Sequence, residues 1–452
     1  MDAAARVCQH LGMREHPLRQ QLELALAAAQ QPNAQATMLR LDADDARLQL
    51  EHVLGHPEGA ALPLRGQRVS VKDLFDVAGQ VTAAGSVLLG EARVPVKPAP
   101  HDATVVSRLR QAGAVLMGRS NMSEFAYSGV GINPHHGTPI NPADPGVHRV
   151  PGGSSSGAAV SVALGIANIG LGTDTGGSLR IPAALCGLVG FKATAGLVPR
   201  DGCLPLSTTL DTVGAITRNV AEAIAVHRVM AQAPTPLPQP APRRLGIAGR
   251  YFQDTMDDGV SEAWTRALRS LQAAGHELVE LELPELDEIA ALNARGTLSA
   301  AESYALHRPW LAAHRDAYDP RVLARILGGE HMLAADYLEL QRARGDWITR
   351  MQAALVGVDA MISPTTPVVA PVLADIAPGA ERDAAFNRVN LMLLRNPSAI
   401  NLLDGCALSL PCHAPQELPV GLMVWHAAHH DAAVLAISAQ VEQALAAVTQ
   451  AA

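Results

Sequence analysis

The sequence predicts an α/β fold in which a central mixed β-sheet is covered by helices on both faces. Short β-branched runs alternate with helical segments from Leu62 onward, and this alternation is typical of parallel or mixed sheets packed between helices. Hydrophobic residues make up 48% of the chain and charged residues 17%, which is enough apolar material for a large core. Glycine and proline, with 38 and 31 copies, suit a loop-rich α/β protein better than a helical bundle.

The N-terminal part of the chain, residues 1–60, is expected to be a helical lead-in. Apolar residues recur at helical spacing between Pro17 and Leu50, so one face of this segment is apolar. Such a face packs on a core or on a partner, and it could serve the interface of a homodimer. Because the chain does not open with a basic region followed by a continuous apolar stretch, we expect no secretory signal and a cytoplasmic location.

Strands and helices are expected to alternate in the next segment. A strand that starts at Arg68 is predicted to end at Lys72. Asp102 is the expected N-cap of a helix that Gly113 closes, since both residue types are typical of those positions. Residues 114–117 are then predicted to form the next strand.

The alternation continues through a run of small residues. Residues 158–164 are predicted to form a helix that Gly165 stops, and residues 166–171 and 188–191 are predicted to form buried strands. We expect these elements together to make up the core of the fold, residues 62–220.

A proline-rich stretch separates this core from the rest of the chain. Prolines occupy every second position from 234 to 242, so residues 231–243 are expected to cross the surface as an extended segment. Helical periodicity then dominates residues 258–355, and residues 356–452 are expected to return to the sheet and end in a helix. No internal repeat of solenoid period is evident, and we expect the 452 residues to form a single domain.

The balance of charges argues against a nucleic acid or a membrane as the main partner. The formal net charge is −8, and the chain has no run of lysine and arginine to bind a phosphate backbone or an anionic membrane. The longest weakly polar run, Gly157–Gly172, is too short and too often interrupted by glycine to span a membrane.

Neither a metal ion nor a cofactor is expected. His426, His429 and His430 have neither the spacing of a metal-binding helix nor a cysteine partner. The glycines around residue 170 do not follow the order of a dinucleotide-binding loop. The five cysteines include no CxxC pair and are expected to be free thiols.

Two loops rich in serine and glycine carry the candidate chemistry. The first is Pro151–Gly157 (PGGSSSG) and the second is Gly172–Ser178 (GTDTGGS). Ser178 is the candidate nucleophile, because consecutive glycines let backbone N–H groups point the same way beside its hydroxyl. Such a nest of N–H groups can stabilise an oxyanion, and each donor is typically worth roughly 3 kcal/mol of the reaction barrier.

A serine nucleophile needs a base, and Lys72 is the candidate. It follows a β-branched strand and precedes Leu74 and Phe75, an apolar setting that would lower the pKa of its amine. A neutral lysine could accept a proton directly or through another hydroxyl. Ser154 can be that hydroxyl, since a relay must both donate and accept a hydrogen bond.

Two other interpretations of these serines stay open at this point. Ser155 lies at the centre of a G-x-S-x-G sequence, which is the pattern of a nucleophile elbow. That elbow requires a preceding buried strand, and residues 148–152 do not have the character of one. Ser178, taken alone, could also be a capping serine at the N-terminus of a helix.

Taken together, these residues resemble the motifs of the amidase signature family. The resemblance includes the separation of 24 residues between Ser154 and Ser178. Its motifs are Ser70–Asp73, Pro151–Gly157 and Gly172–Pro182, with further matches at Gly118–Ala126, Gly187–Lys192, Ser363–Pro367 and Leu418–Leu422. Ser156 departs from the family, which commonly has a second glycine there. The resemblance implies the amidase-signature fold, with helices on both sides of a mixed sheet.

The resemblance also implies a Ser–cis-Ser–Lys triad. Ser178 would be the nucleophile and Lys72 the general base, while Ser154, after a cis peptide bond, would relay the proton. The oxyanion hole would be formed by the N–H groups of Thr175, Gly176, Gly177 and Ser178.

Residues around the triad are expected to support it. Asp174 and Arg180 would brace the nucleophile loop. The substrate pocket would be lined by Met122, Phe125, Tyr127 and Ser128, which belong to or follow one of the family-like segments.

The expected function is hydrolysis of a small-molecule amide to an acid and ammonia or an amine, through an acyl-enzyme and without a cofactor. One alternative is the glutamine-hydrolysing component of a tRNA-dependent amidotransferase, which works only within a complex. Another is a catalytically silent binding or scaffold protein on the same fold. The sequence does not identify the amide.

Overall fold

A computed structural model describes residues 16–232 and 239–449, which contain one sheet of 11 strands. The strands, numbered in chain order, are β1 (Met38–Leu41), β2 (Arg68–Lys72), β3 (Val115–Ser120), β4 (Ile169–Asp174), β5 (Val189–Lys192), β6 (Thr212–Thr217), β7 (Arg244–Ala248), β8 (Glu277–Leu281), β9 (Ala360–Pro364), β10 (Cys406–Pro411) and β11 (Gly421–His426).

The sheet is mixed, as the sequence predicts. Its strand order is β1-β3-β2-β4-β6-β5-β10-β11-β9-β7-β8. The pairs β3/β2, β2/β4, β9/β7 and β7/β8 are parallel, and the other pairs are antiparallel. The triad candidates therefore lie on or next to the parallel part of the sheet that β2 and β4 form.

Helices surround the sheet. They are α1 (Pro17–Ala28), α2 (Ala43–Gly55), α3 (Val87–Gly90), α4 (Thr104–Gln111), α5 (Ser156–Ala163), α6 (Arg180–Cys186), α7 (Val220–Ala231), α8 (Asp258–Ala273), α9 (Ile289–Leu292), α10 (Leu298–His314), α11 (Pro320–Leu327), α12 (Ala334–Ala354), α13 (Leu373–Ile376), α14 (Asp383–Leu402) and α15 (Asp431–Thr449). None of the helices in the described ranges has both the length and the apolar character that crossing a membrane would require.

Burial of the strands confirms that both faces of the sheet are covered. Successive side chains of a strand point to opposite faces, and every residue of β2, β3, β4, β5, β6, β9 and β11 is buried. The edge strands β1 and β8 are partly exposed. The predicted α/β class with helices on both faces is therefore confirmed.

Small residues allow the elements around the triad to approach closely. Gly170 in β4 lies against α5, where an added Cβ would come within 2.7 Å of the Ala158 carbonyl oxygen. Gly157 in the first turn of α5 lies even closer to the backbone of Thr37 and Asn121. The run of small residues that the sequence shows here is thus a requirement of packing.

Two strands lie in regions that the sequence predicts to be helical. The helical lead-in contains β1, which pairs antiparallel with β3. The helical region 258–355 contains β8, which pairs parallel with β7. Both are short edge strands of four or five residues, too short for an alternating pattern to stand out between long helices. Residues 1–15, 233–238 and 450–452 lie outside the described ranges, and the second of these gaps falls within the proline-rich segment 231–243.

The expected N-cap of α4 is also wrong. The helix begins one residue later than predicted, at Thr104, and the capping residue Ala103 has no side-chain hydrogen bond. Asp102 instead accepts hydrogen bonds from the Ala78 N–H and the Arg110 guanidinium. Its carboxylate therefore ties the helix to the segment after β2.

Gly157→Ala is expected to destabilise the fold. An added Cβ would come within 2.3 Å of the Thr37 oxygen and 2.5 Å of the Asn121 nitrogen, and these backbone atoms can move only if the chain shifts. Overpacking of this kind costs about 1–3 kcal/mol in the free energy of unfolding, which denaturant titration measures.

Gly345→Ala is the matched control. Gly345 is an exposed residue of α12, and an added Cβ would meet nothing within 4 Å. Replacing a helical glycine by alanine should raise the free energy of unfolding by roughly 0.5–1 kcal/mol. Equal stability of the two variants would contradict the packing argument.

Candidate active site

Lys72 lies at the carboxyl end of β2, in the interior of the sheet. Its Nζ donates hydrogen bonds to the Ser154 Oγ at 2.8 Å and to the Thr173 Oγ1 at 2.9 Å. Thr173 belongs to the parallel neighbour β4, so strand pairing brings its hydroxyl beside the amine. The Lys72 side chain is fully buried.

Burial lowers the pKa of Lys72 to about 7, because a charged amine without water is unfavourable. Cys203, Asp211 and Asp174 act in the opposite direction but are outweighed. None of these three groups is hydrogen-bonded to the amine. The amine of Lys72 can therefore be neutral near neutral pH.

The loop that carries Ser154 is held by backbone contacts. The Gly153–Ser154 peptide bond is cis. The Gly153 N–H donates to the Gly129 oxygen at 2.8 Å, and the Ser154 oxygen accepts from the Ser123 N–H at 3.1 Å. A Cβ on Gly153 would come within 2.6 Å of the Gly131 nitrogen, so only glycine fits this position.

Ser178 lines a cavity of about 630 Å³. Its carbonyl oxygen accepts a hydrogen bond from the Ser155 N–H at 3.3 Å, so the two serine loops are in contact. Gly177, just before it, has a φ of 126°, which favours glycine. The structure thus brings Lys72, Ser154 and the Ser178 loop to one place, as the sequence predicts.

The N–H groups around Ser178 differ in their availability. The Gly177 N–H donates to the Asp174 Oδ1 at 2.8 Å. In the described part of the chain, the N–H groups of Thr175, Gly176 and Ser178 donate to no protein acceptor. The expectation that all four donate to an oxyanion is therefore corrected for Gly177, whose N–H the Asp174 carboxylate already accepts.

A buried ion pair supports this loop. Asp174 and Arg180 form a salt bridge at 2.9 Å, and both side chains are fully buried. Burial alone would raise the pKa of the Asp174 carboxyl, but the Arg180 guanidinium outweighs it and holds that pKa well below its usual range. Asn401 on α14 donates to Asp174 and accepts from Arg180 at 2.6 Å. The sequence offered no signal for Asn401, which lies more than 200 residues away.

The predicted pocket residues divide into two groups. Tyr127 and Ser128 line the cavity. Met122 and Phe125 do not: Met122 is packed against Gly85, and the Phe125 ring is packed against the His307 ring with centroids 4.4 Å apart. The chain turns sharply at Phe125 and Ala126, where φ is positive, so adjacent residues face different surroundings.

Most of the cavity wall comes from segments distant in sequence. It includes Leu206 and Leu210 before β6, and Asn293, Thr297, Arg325, Arg395 and Ser398 from the later helices and the loops between them. No aspartate or glutamate is found among the described residues that line it. The electrostatic character of the cavity is therefore set by two arginines.

The two arginines are held differently. Arg395 donates to Thr255, Asn396 and the Asp254 oxygen. The Arg325 guanidinium lies over the Tyr127 ring, 4.5 Å from its centroid, and its buried Nε has no hydrogen-bond partner. Arg325 thus lines the cavity with a guanidinium whose Nε has no acceptor in the described chain.

The remaining titratable groups form no metal site. Within residues 16–232 and 239–449 there is no group of three or more His, Cys, Asp or Glu side chains that could hold a metal ion. Cys186, Cys203, Cys406 and Cys412 are free thiols. Cys8 lies outside the described ranges.

Comparison with known proteins agrees with this geometry. The family model described as Amidase matches residues 20–435. The chain belongs to the amidase family. It is accordingly a hydrolase of carbon–nitrogen bonds, and the resemblance drawn from its motifs is confirmed.

Named relatives include two kinds of enzyme. A 2-amino-5-chloromuconic acid deaminase from Comamonas testosteroni is 36% identical over 391 residues, which cover 84% of this chain and 82% of that protein. One component of the glutamyl-tRNA(Gln) amidotransferase from Akkermansia muciniphila is 33% identical over 405 residues, covering 80% and 83%. A crystal structure of an amidase, 35% identical, covers 98% of this chain and 99% of its own with a TM-score of 0.83.

Proposed function

We propose that this amide hydrolase acts on small amides that carry a carboxylate group, through an acyl-enzyme on Ser178. The observation that carries the proposal is the contact of a buried lysine, Lys72, with the Ser154 hydroxyl beside the cavity that Ser178 lines. We also propose, from the sequence, that the chain forms a single domain, works in the cytoplasm and pairs as a homodimer.

The proposed reaction begins with attack by Ser178. Its Oγ bonds to the amide carbon while its proton passes to Ser154 and the Ser154 proton passes to the neutral Nζ of Lys72. The relay then returns a proton to the leaving nitrogen, the C–N bond breaks, and an ester remains on Ser178. Water cleaves this ester by the same relay and releases the acid.

The oxyanion of each tetrahedral intermediate would be stabilised by the N–H groups of Thr175, Gly176 and Ser178. This role is supported because these three N–H groups donate to no protein acceptor in the described chain. The Gly177 N–H would act indirectly, because its bond to Asp174 keeps the loop in shape. Asp174 and Arg180 brace the loop in this proposal.

The preference for a carboxylate rests on Arg325. A guanidinium with a buried, unpartnered Nε is unfavourable until an acceptor arrives, and a carboxylate is the acceptor that best fits its planar donors. Stacking on Tyr127 fixes the plane of the guanidinium. Arg325 and Ser178 line the same cavity, so one small molecule could reach both.

A second candidate is the glutamine-hydrolysing component of an amidotransferase, because relatives that belong to such enzymes are about one-third identical to this chain. Glutamine carries an ammonium group beside its carboxylate. The described cavity lining has two arginines and no acidic side chain to receive an ammonium. We therefore favour an amide with a carboxylate and no amine. Assay of the purified chain alone, on glutamine and on such amides, separates the two candidates.

Ser178→Ala is expected to abolish turnover, with a loss of about 10⁶-fold as for other serine nucleophiles. Mass spectrometry of the wild-type enzyme quenched during turnover should find the acyl group on the peptide that contains Ser178. Ser155→Ala is the control, because the Ser155 hydroxyl makes only a long contact of 3.4 Å with the Thr173 oxygen. If the acyl-enzyme is lost in Ser155→Ala and not in Ser178→Ala, the nucleophile-elbow alternative replaces this proposal. If the wild-type chain is inactive on every amide, the result favours a catalytically silent scaffold protein.

The activity is expected to fall as the pH drops below about 7, the value to which burial lowers the pKa of Lys72. The base must be neutral, so kcat/KM should be constant above that pH and decline below it. Lys72→Ala should lower kcat/KM by about 10²–10⁴-fold at neutral pH. A pH profile with no acidic limb near 7 would count against lysine as the base.

Arg325→Met is expected to raise KM for an amide that carries a carboxylate by about 10- to 100-fold, the range for losing a hydrogen bond to a charged group. KM for a neutral amide of the same size should change little. Arg308→Met, which removes an exposed arginine from α10, serves as the control for net charge. An equal loss on both substrates would show that Arg325 does not select the carboxylate.

A further inference from the structure

We propose that Asp211 is a positioning residue for the reaction: its carboxylate joins the loop that supplies the oxyanion donors to the segment Leu206–Leu210, which also lines the substrate cavity. The inference rests on the proposed function, since it takes the Thr175 N–H as one of those donors. Asp211 touches neither the nucleophile nor the base through a hydrogen bond, so it acts through Thr175.

The contacts of Asp211 use both carboxylate oxygens. Oδ1 accepts a hydrogen bond from the Thr175 hydroxyl at 2.5 Å. Oδ2 accepts from the N–H groups of Leu206 and Ser207, at 2.9 and 3.1 Å. Thr175 and Leu206 both line the cavity, so one buried carboxylate links two of its walls.

The position of Asp211 follows from the sheet. It directly precedes β6, which pairs antiparallel with β4 so that Thr212 lies opposite Asp174. The end of β4 continues into the nucleophile loop, and the start of β6 is preceded by the segment Leu206–Leu210. Asp211 is thus at the junction of both loops.

Rigid placement of Thr175 matters because an oxyanion donor works only at the correct distance. Donors act at about 2.7–3.1 Å from the developing charge, and a misplacement of about 1 Å can cost 10²-fold in rate. A hydrogen bond from a hydroxyl to a charged carboxylate is short and strong. It can therefore hold the loop against the movements that substrate binding imposes.

The negative charge of Asp211 also faces the base. With Asp174 and Cys203 it acts to raise the pKa of Lys72 against the effect of burial. Burial raises the pKa of Asp211 itself to about 6, with the Thr175 hydroxyl, the Leu206 and Ser207 N–H groups and Arg200 opposing. Asp211 is then mostly ionised where Lys72 titrates, and removing its charge should lower the pKa of Lys72.

Glu302 provides a matched comparison, because it holds the same segment from the outside. Its carboxylate accepts from the Ser207 hydroxyl at 2.5 Å, from the Thr209 N–H at 3.0 Å and from the Tyr337 hydroxyl at 2.7 Å. It makes no contact with Thr175 among the described hydrogen bonds. A change at Glu302 loosens the segment without releasing the oxyanion loop directly.

The test compares kcat, KM and their pH dependence in Asp211→Asn and Glu302→Gln, using the full chain and an amide substrate. Asp211→Asn keeps the size and removes the charge. The amide oxygen can still accept from the Leu206 and Ser207 N–H groups, so the amide nitrogen faces Thr175 and can only donate to its hydroxyl, which loses its charged acceptor. We expect kcat to fall about 10- to 100-fold with a smaller change in KM, and the acidic limb of the pH profile to move to lower pH. Glu302→Gln should change kcat less and leave the acidic limb in place.

Thr175→Val is the second variant, since it keeps the N–H group but removes the hydroxyl that Asp211 holds. It should reproduce most of the kcat loss, and the two changes together should cost little more than either alone. The proposal is overturned if Asp211→Asn keeps the wild-type kcat or if the acidic limb of its pH profile does not shift. It is also overturned if the loss of kcat in Asp211→Asn adds fully to the loss in Thr175→Val. Retained activity in Ser178→Ala would instead overturn the proposed function, so the two failures are distinguishable.

Discussion

Desolvation of the Lys72 amine is the constraint on which the rest of the site depends. The amine is fully buried and hydrogen-bonded to two hydroxyls, and this burial lowers its pKa to about 7. A carboxylate bonded directly to it would keep it protonated. The nearby acids have other partners: Asp174 is paired with Arg180, and Asp211 with Thr175 and two N–H groups. The polar network around the triad therefore also protects the neutrality of the base.

Chemistry and selectivity come from different parts of the fold. Lys72 ends β2 and the Ser178 loop follows β4, and the carboxyl ends of these neighbouring parallel strands lie at the same edge of the sheet. Ser154 comes from the loop that precedes α5. The cavity wall that faces them comes largely from helices and loops after residue 288, including Arg325 and Arg395. A family of enzymes can keep the strands and loops that carry the catalytic groups while it varies the helices and loops of the cavity wall. This division explains why the motifs indicate a reaction but no substrate.

The sequence predicted the elements that carry strong local signals. Strands β2 to β5 and helix α5 lie where β-branched runs and small residues indicate them. Edge strands β1 and β8 were missed because helices dominate their surroundings. Met122 and Phe125 were expected in the pocket because their motif neighbours Tyr127, yet both are buried in the core: Met122 packs against Gly85, and the chain turns sharply at Phe125. Where φ becomes positive, adjacency in the sequence is a poor guide to which surroundings a side chain faces.

The sequence by itself determined the reaction class and the residues proposed for it, because these lie in short motifs whose spacing is local. Only the tertiary structure decided which distant groups complete the site. Asn401 meets Asp174 across 227 positions, and Arg325 reaches the cavity from a helix far from the serine loops. Asp211 meets Thr175 only because β6 returns antiparallel to β4. Strand order and helix docking set such contacts, and no local pattern of residues encodes either.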